Sequence, residues 1–134
     1  MNRSPLLLLA AAVLASGRAA PAGAEDAPAP PAPAYYVADF KVTDRDGIRP
    51  YSAAVEGTFQ PFGGRFIVRG ADPVPLEGAA PQGRLVVIMF DSLAKARAWY
   101  DSPAYRALRP LRQRSGVSNV YILEGLPGRG PARP

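Results

Sequence analysis

The chain has 134 residues, the size of one domain, with little room for a second. Its 16 Lys and Arg residues are interspersed with 11 Asp and Glu, so no nucleic-acid surface is expected. It contains neither Cys nor His, which excludes disulfides, Ser-His and Cys-His nucleophilic pairs, His-ligated haem and a typical zinc site.

Residues 1–24 have the organisation of a signal peptide. Arg3 precedes an apolar run over residues 6–15, and Ala22-Gly23-Ala24 offers small residues for cleavage. The run is roughly half the length of a membrane span, which needs about 20 residues. We therefore expect a periplasmic or secreted protein with no membrane association after cleavage. A retained amino-terminal anchor is the alternative.

Two further segments lie outside the predicted domain, residues 35–125. Residues 25–34 are almost wholly Ala and Pro, a composition typical of a semi-rigid linker. Residues 126–134 are rich in Gly, Pro and Arg and are predicted to form a disordered tail.

The first half of the domain predicts a strand followed by a helix. Residues 35–42 alternate, which places four apolar residues on one face: Tyr36, Ala38, Phe40 and Val42. Apolar residues then recur at spacings of three and four, as on the buried face of a helix: Ile48, Tyr51, Val55, Phe59 and Phe62. Gly63-Gly64 ends this helix. Pro50 fits its first turn if Asp46 is the cap, whereas a cap at Asp44 would require a kink.

The second half predicts two strands, an interrupted helix and a last strand. Strands are expected over residues 65–69 and 85–90, and the second should be central because it is continuously apolar. A helix capped by Asp91-Ser92 should turn Leu93, Ala96 and Tyr100 inward. Ser102-Pro103 should restart it, with Leu108 and Leu111 inward, until Gly116. Residues 119–124 alternate again.

This order predicts an α+β fold of the ferredoxin-like β-α-β-β-α-β type, in which both helices cover one face of a four-stranded antiparallel sheet. The other face should be half apolar, with Val37, Ile67 and Leu123, and should pack against a second copy of the chain. The polar candidates for this dimer face are Asp39, Lys41, Arg65, Tyr121, Arg69 and Asn119. Asp39 and Arg69 could pair across it.

Residues 35–125 resemble the DUF1330 family (domain of unknown function 1330) of the dimeric α/β-barrel superfamily. The resemblance rests on Gly63-Gly64-Arg65-Phe66, Leu76-Glu77-Gly78, the apolar strand 85–90 and above all residues 96–105, ARAWYDSPAY. It implies a homodimeric barrel and assigns no activity. Family members commonly have Pro-Glu where this chain has Arg45-Asp46, so the comparison predicts a different start for the first helix here.

Charged and hydroxyl groups beside aromatic residues suggest a pocket for a small anionic or aromatic molecule. The candidate ligand-binding residues are Arg69, Glu77, Trp99, Tyr100, Ser102, Tyr105 and Arg112. Glu77 could act as a general base, Arg69 or Arg112 could hold a carboxylate, and Tyr105 could donate a proton.

Most of these candidates also have a purely structural interpretation; for Arg69 it is an ion pair at the dimer face. Trp99 and Tyr100 could belong to the core, and Ser102 could only cap a helix. Glu77 could be solvated in its loop. The arginines at 106, 109, 112 and 114 could form a solvated helix face.

Two functions follow as hypotheses. The first is a dimeric module that binds a small molecule in a pocket between helices and sheet, without metal or cofactor. The alternative is an isomerase-like or cofactor-independent monooxygenase-like enzyme, by analogy with the superfamily; no catalytic residue is assigned. RNA-recognition domains share the element order, but their third strand carries paired aromatics and here it has only Phe90, so RNA is not an expected partner.

Overall fold

The computed structural model describes residues 30–128. The predicted signal peptide, the linker up to residue 29 and the tail from residue 129 lie outside the described residues. The elements in chain order are β1 Ala34–Val42, α1 Arg49–Phe59 with a 3-10 turn Gln60–Phe62, β2 Arg65–Ala71, β3 Arg84–Phe90, α2 Leu93–Tyr100, α3 Pro103–Arg114 and β4 Gly116–Glu124.

The strands form one antiparallel sheet in the order β2-β3-β1-β4. This is the predicted ferredoxin-like arrangement, with the continuously apolar β3 inside the sheet. We call the side covered by the helices the helix face and the other side the open face. Tyr36 and Ala38 of β1 are buried on the helix face, as their alternation predicted.

Trp99 of α2 lies at the centre of the core and is fully buried. Its ring stacks on Phe90 at 5.3 Å and meets Tyr36 edge-on at 5.1 Å, between ring centroids. Its indole N–H donates to the Thr58 hydroxyl at 3.0 Å, and that hydroxyl donates to the Val55 carbonyl at 2.6 Å. The one polar atom of Trp99 is therefore satisfied, as a buried indole requires.

Helix α1 begins later than either predicted cap. The Asp44 carboxylate accepts hydrogen bonds from the backbone N–H groups of Asp46 and Gly47, at 3.2 and 2.9 Å, and so builds a turn instead of capping a helix. Pro50 falls in the first turn of the helix, where its missing N–H costs nothing. Gly63 has a φ of 73° and ends the 3-10 turn, since glycine adopts this left-handed conformation without strain.

Strand β2 contains an irregularity that corrects one prediction. Phe66 pairs with Ile88 and Val68 pairs with Val87, so Ile67 is an extra residue between them. Arg69 then pairs with Val86 and lies on the helix face, with Val86 and Ile88. The expected pairing of Arg69 with Asp39 across the dimer face was wrong, because the bulge reverses the alternation of β2.

Among residues 30–128, no helix has both the length and the apolar character needed to cross a bilayer.

Candidate functional site

A cavity of about 220 Å³ lies between α1 and the helix face of β2, β3 and β1. Ala38 of β1 is one of the sheet residues that line it. Tyr51 and Val55 of α1 line the opposite wall. The walls are therefore mostly apolar, as in sites that enclose the body of a small molecule.

Arg112 of α3 lines this cavity and is only 3% exposed. One guanidinium nitrogen, Nη1, donates to the Ser118 hydroxyl of β4, whereas Nε is buried without a hydrogen-bond partner. Within residues 30–128, no Asp or Glu lies within ion-pair distance of Arg112. A buried cation without a carboxylate is costly, and native proteins rarely keep one without a purpose.

Three tyrosine hydroxyls from three elements meet beside Arg112. The Tyr105 hydroxyl of α3 is 3.4 Å from those of Tyr36 on β1 and Tyr51 on α1. Burial raises the pKa of Tyr36 and Tyr51 well above the ordinary value, and the neighbouring Tyr105 hydroxyl adds to the rise, while the Arg112 charge opposes it. Tyr36 and Tyr51 therefore stay protonated at neutral pH and can donate hydrogen bonds.

The guanidinium keeps its charge in this environment. Burial by itself lowers the pKa of Arg112, but the oxygens of Tyr36, Tyr105 and Tyr51 raise it by more, so the net pKa lies above the ordinary value. The inner end of the cavity thus combines a permanent positive charge with protonated hydroxyls. Such a set of donors is suited to binding an anionic oxygen.

Two further arginines line the cavity from the side of β2 and β3. Arg69 lies over the Phe66 ring, 4.7 Å from its centroid, and its Nη1 is 3.4 Å from an oxygen of Glu56. The Nε of Arg84 is 3.2 Å from the Oδ1 of Asp72. Both arginine side chains are more than half exposed. No Asp or Glu of the described chain lines the cavity itself.

The structure brings only some of the predicted ligand-binding residues together. Arg69 and Arg112 line the cavity, and Tyr105 reaches its inner end through the tyrosine cluster. Glu77 is exposed in the connection between β2 and β3 and does not line the cavity, so it is not placed to act there as a base.

The other three candidates do not line the cavity. Trp99 is the centre of the core. The Ser102 hydroxyl accepts the backbone N–H of Tyr105 at 3.3 Å and donates to the Trp99 carbonyl at 2.6 Å, so it caps α3. Tyr100 lines a separate, more open cleft beside β4, and Arg109 lies over its ring at 4.4 Å.

Sequence reasoning missed Tyr36 and Tyr51 and underestimated Arg112. Both tyrosines were assigned to buried faces, and a buried phenol needs a hydrogen-bond partner, which could have marked them as polar groups of a site. Arg112 follows Tyr105 by seven residues, two helical turns, and therefore shares its inward face. The interpretation of residues 106–114 as a solvated arginine face was wrong for Arg112.

The open face carries the residues predicted for a dimer interface. The strand register places Asp39, Lys41, Arg65 and Tyr121 there. Asp39 is already used within the chain, since its carboxylate accepts the backbone N–H groups of Gln82 and Gly83 at 3.0 and 2.8 Å.

One row across the open face is entirely apolar or aromatic. Pairing aligns Val68 of β2, Val87 of β3, Val37 of β1 and Tyr121 of β4. Along β4, the exposed fractions of Val117, Tyr121 and Leu123 are 56%, 49% and 53%.

A family model described as "Domain of unknown function (DUF1330)" matches residues 33–126. No curated protein matches the chain. Among solved structures, the chain is similar to a protein of unknown function from Rhodopseudomonas palustris, with 20% identity, a TM-score of 0.54 and coverage of 72% of this chain and 85% of that one. It is also similar to SnoaB, a cofactor-independent oxygenase from Streptomyces nogalater, with 11% identity, a TM-score of 0.50 and coverage of 76% and 99%. At these identities the likeness shows a shared fold alone.

Proposed function

The chain belongs to the DUF1330 family, whose description assigns no activity, and from the site itself we propose that its cavity binds a small molecule with an anionic group on an apolar or aromatic body. The anionic group would lie against Arg112 and the tyrosine hydroxyls. The apolar body would lie over Ala38, between the sheet and α1.

The observation that carries this proposal is the buried guanidinium of Arg112. It has no carboxylate partner among the described residues, its Nε has no hydrogen-bond partner, and it lines a cavity. An anion bound there would gain charge-assisted hydrogen bonds in a site of low dielectric, where they are stronger than in water. The volume of about 220 Å³ lies below the range of about 300–1,000 Å³ usual for drug-sized ligands, so the molecule should be small.

The alternative of a cofactor-independent enzyme has weaker support in this cavity. SnoaB is a cofactor-independent oxygenase, but the likeness to it is one of fold. General-base catalysis needs a group that accepts a proton near neutral pH, and no carboxylate of the described chain lines the cavity. Arg112 and the protonated tyrosines could stabilise a developing oxyanion. The site therefore supports ligand binding better than catalysis, and any catalysis there would act through stabilisation of an oxyanion.

Thermal unfolding of the purified protein with matched ligands tests the binding proposal. Benzoate and phenylacetate should raise the melting temperature, because a ligand that binds only the folded state stabilises it by RT ln(1 + [L]/Kd). Benzamide and phenylacetamide have nearly the same shapes without the charge and should raise it much less. Equal shifts for acids and amides would contradict recognition of an anion.

Variants connect the effect to the site. Arg112→Gln should abolish the shift caused by benzoate, and Tyr105→Phe should reduce it. Arg106→Gln removes an equal charge from an exposed arginine that pairs with Asp101 and does not line the cavity, so it serves as the matched control. A full benzoate shift in Arg112→Gln would show that binding occurs elsewhere.

We also propose that two copies pack through their open faces. The apolar row of Val68, Val87, Val37 and Tyr121 supports this, because a contiguous apolar surface of this kind usually marks an interface. Such a dimer would leave the cavity, which lies on the helix face, accessible on each copy.

Export remains a proposal based on the sequence of residues 1–24. It predicts that the protein recovered from the cell envelope or the medium begins near Glu25. Amino-terminal sequencing of the fractionated protein tests this, and an intact Met1 in the soluble interior of the cell would contradict it.

A further inference from the structure

The cavity carries positive charge at two separate places. Arg112 lies at its inner end beside the tyrosine hydroxyls, while Arg69 and Arg84 line it from β2 and β3. No carboxylate of residues 30–128 lines the cavity; Glu56 and Asp72, which pair with Arg69 and Arg84, lie outside its lining. A ligand with one anionic group would satisfy only one of these charged ends.

The sheet register gives the backbone spacing beneath the two charged places. Arg84 of β3 is paired with Phe40 of β1, and Phe40 is paired with Ser118 of β4, whose hydroxyl accepts a hydrogen bond from Arg112. Neighbouring strands lie about 4.8 Å apart, so the backbones at Arg84 and Ser118 are about 10 Å apart. The apolar ring of Phe40 lies between them and also lines the cavity.

The arginines at the outer end are available to a ligand. Arg69 and Arg84 pair with Glu56 and Asp72 in side chains that are largely exposed. Exposed ion pairs contribute only about 0–1 kcal/mol, so an anionic group of a ligand can replace either carboxylate at small cost.

We propose that the cavity selects molecules with an anionic group at each end of an apolar body, so that it prefers dicarboxylates to monocarboxylates of the same length. This inference rests on the proposed function, since it needs Arg112 to bind the first anionic group. The second group binds Arg69 or Arg84, and the segment between the two groups lies against Phe40, Ala38 and Val86.

Calorimetric titration with two pairs of probes tests the preference. The pairs are para-phenylenediacetate with its monomethyl ester, and suberate with its monomethyl ester. Each diacid should bind the wild-type protein at least about tenfold more tightly than its ester, a ratio that corresponds to about 1.4 kcal/mol. In the double variant Arg69→Gln/Arg84→Gln the ratio should fall to near one while the ester still binds.

The control is the double variant Arg49→Gln/Arg106→Gln. It removes the same charge from two exposed, ion-paired arginines that do not line the cavity, and it should keep the wild-type ratio. A ratio near one in the wild type, or one unchanged by Arg69→Gln/Arg84→Gln, would overturn the two-ended preference and leave the proposed function intact. Failure of both diacids and esters to bind would overturn the proposed function, and this inference with it.

Discussion

Arg112 is a charge that the fold keeps almost completely out of water. A guanidinium of this kind loses hydration, and here its Nη1 donates a hydrogen bond to the Ser118 hydroxyl while its Nε has no partner among residues 30–128. Replacing a whole buried ion pair by apolar side chains of similar volume is often neutral or stabilising by about 1–4 kcal/mol, and Arg112 has no carboxylate partner among residues 30–128 that its loss would leave unpaired. If Arg112 is present for a ligand and not for the fold, stability and binding should respond to its loss in opposite directions.

Arg112→Met tests this separation. We expect the free energy of unfolding, measured by urea denaturation, to stay unchanged or to rise, and benzoate binding to be lost. Arg109→Met is the comparison, because Arg109 lies over the Tyr100 ring and donates to the Tyr100 carbonyl at 3.2 Å, so its loss should lower stability slightly without affecting binding. A fall of several kcal/mol in Arg112→Met would indicate a structural role instead.

The tyrosine cluster predicts a loss of stability at alkaline pH. Tyrosines of the unfolded chain release their protons near pH 10, whereas the raised pKa values of Tyr36 and Tyr51 keep both protonated in the folded state. Above about pH 10 the unfolded chain therefore binds fewer protons, and the free energy of unfolding should fall by about 1.4 kcal/mol per pH unit for each of the two. Below pH 10 this contribution is fully present.

Urea denaturation between pH 9 and 11 measures that slope. Tyr36→Phe and Tyr51→Phe should each remove about one tyrosine's share of it. Ser102→Ala, which lowers stability without removing an ionisable group, should leave the slope unchanged. An equal slope in wild type and in both phenylalanine variants would show that these hydroxyls are not kept protonated by the fold.

The break between α2 and α3 depends on one hydroxyl. Ser102 is buried, and its Oγ both accepts the Tyr105 N–H and donates to the Trp99 carbonyl. Ser102→Ala should lower the free energy of unfolding by about 1–2 kcal/mol, the usual cost of losing such a cap. Benzoate affinity, measured well below the melting temperature, should not change. A large loss of benzoate affinity with normal stability would indicate that Ser102 contributes to ligand binding.

Local periodicity was sufficient to predict the elements, because each strand and helix shows its buried face within a few residues. The alternation of β1 predicted its buried face, and the apolar run of β3 predicted its place inside the sheet. Local periodicity predicted neither the bulge in β2 nor the composition of the site. The extra residue Ile67 has no local signature, and only pairing with β3 shows that Arg69 lies on the helix face.

The site depends on contacts between distant residues. The hydroxyls of Tyr36 and Tyr105 are separated by 69 positions, and those of Tyr51 and Tyr105 by 54. Periodicity could place each residue on an inward face but could not show that three phenols and a guanidinium meet. Arg69, Tyr105 and Arg112 were proposed for their chemistry, and the fold brings them to one cavity while leaving Glu77 outside it.

The two faces of the sheet differ in what they contact. The helix face encloses the core and the cavity, whereas the open face presents Val68, Val87, Val37 and Tyr121 in one row. Tyr121 is exposed and the three valines are half-buried. A specific protein interface buries about 800 Å² on each partner, and the proposed dimer would have to bury an area of this size on the open face.

Val87→Lys tests the proposed dimer, because it places a charge in the centre of the apolar row, where a sheet-to-sheet interface would bury it without a partner. We expect the dissociation constant of the dimer, measured by sedimentation equilibrium, to rise at least about tenfold. Ala94→Lys introduces the same charge at an exposed position of α2 and should leave association unchanged. Val87 is half-buried in the single chain, so circular dichroism is used to check that the variant remains folded. A wild-type protein that sediments as a monomer at all concentrations, or equal dimerisation of both lysine variants, would contradict an interface on the open face.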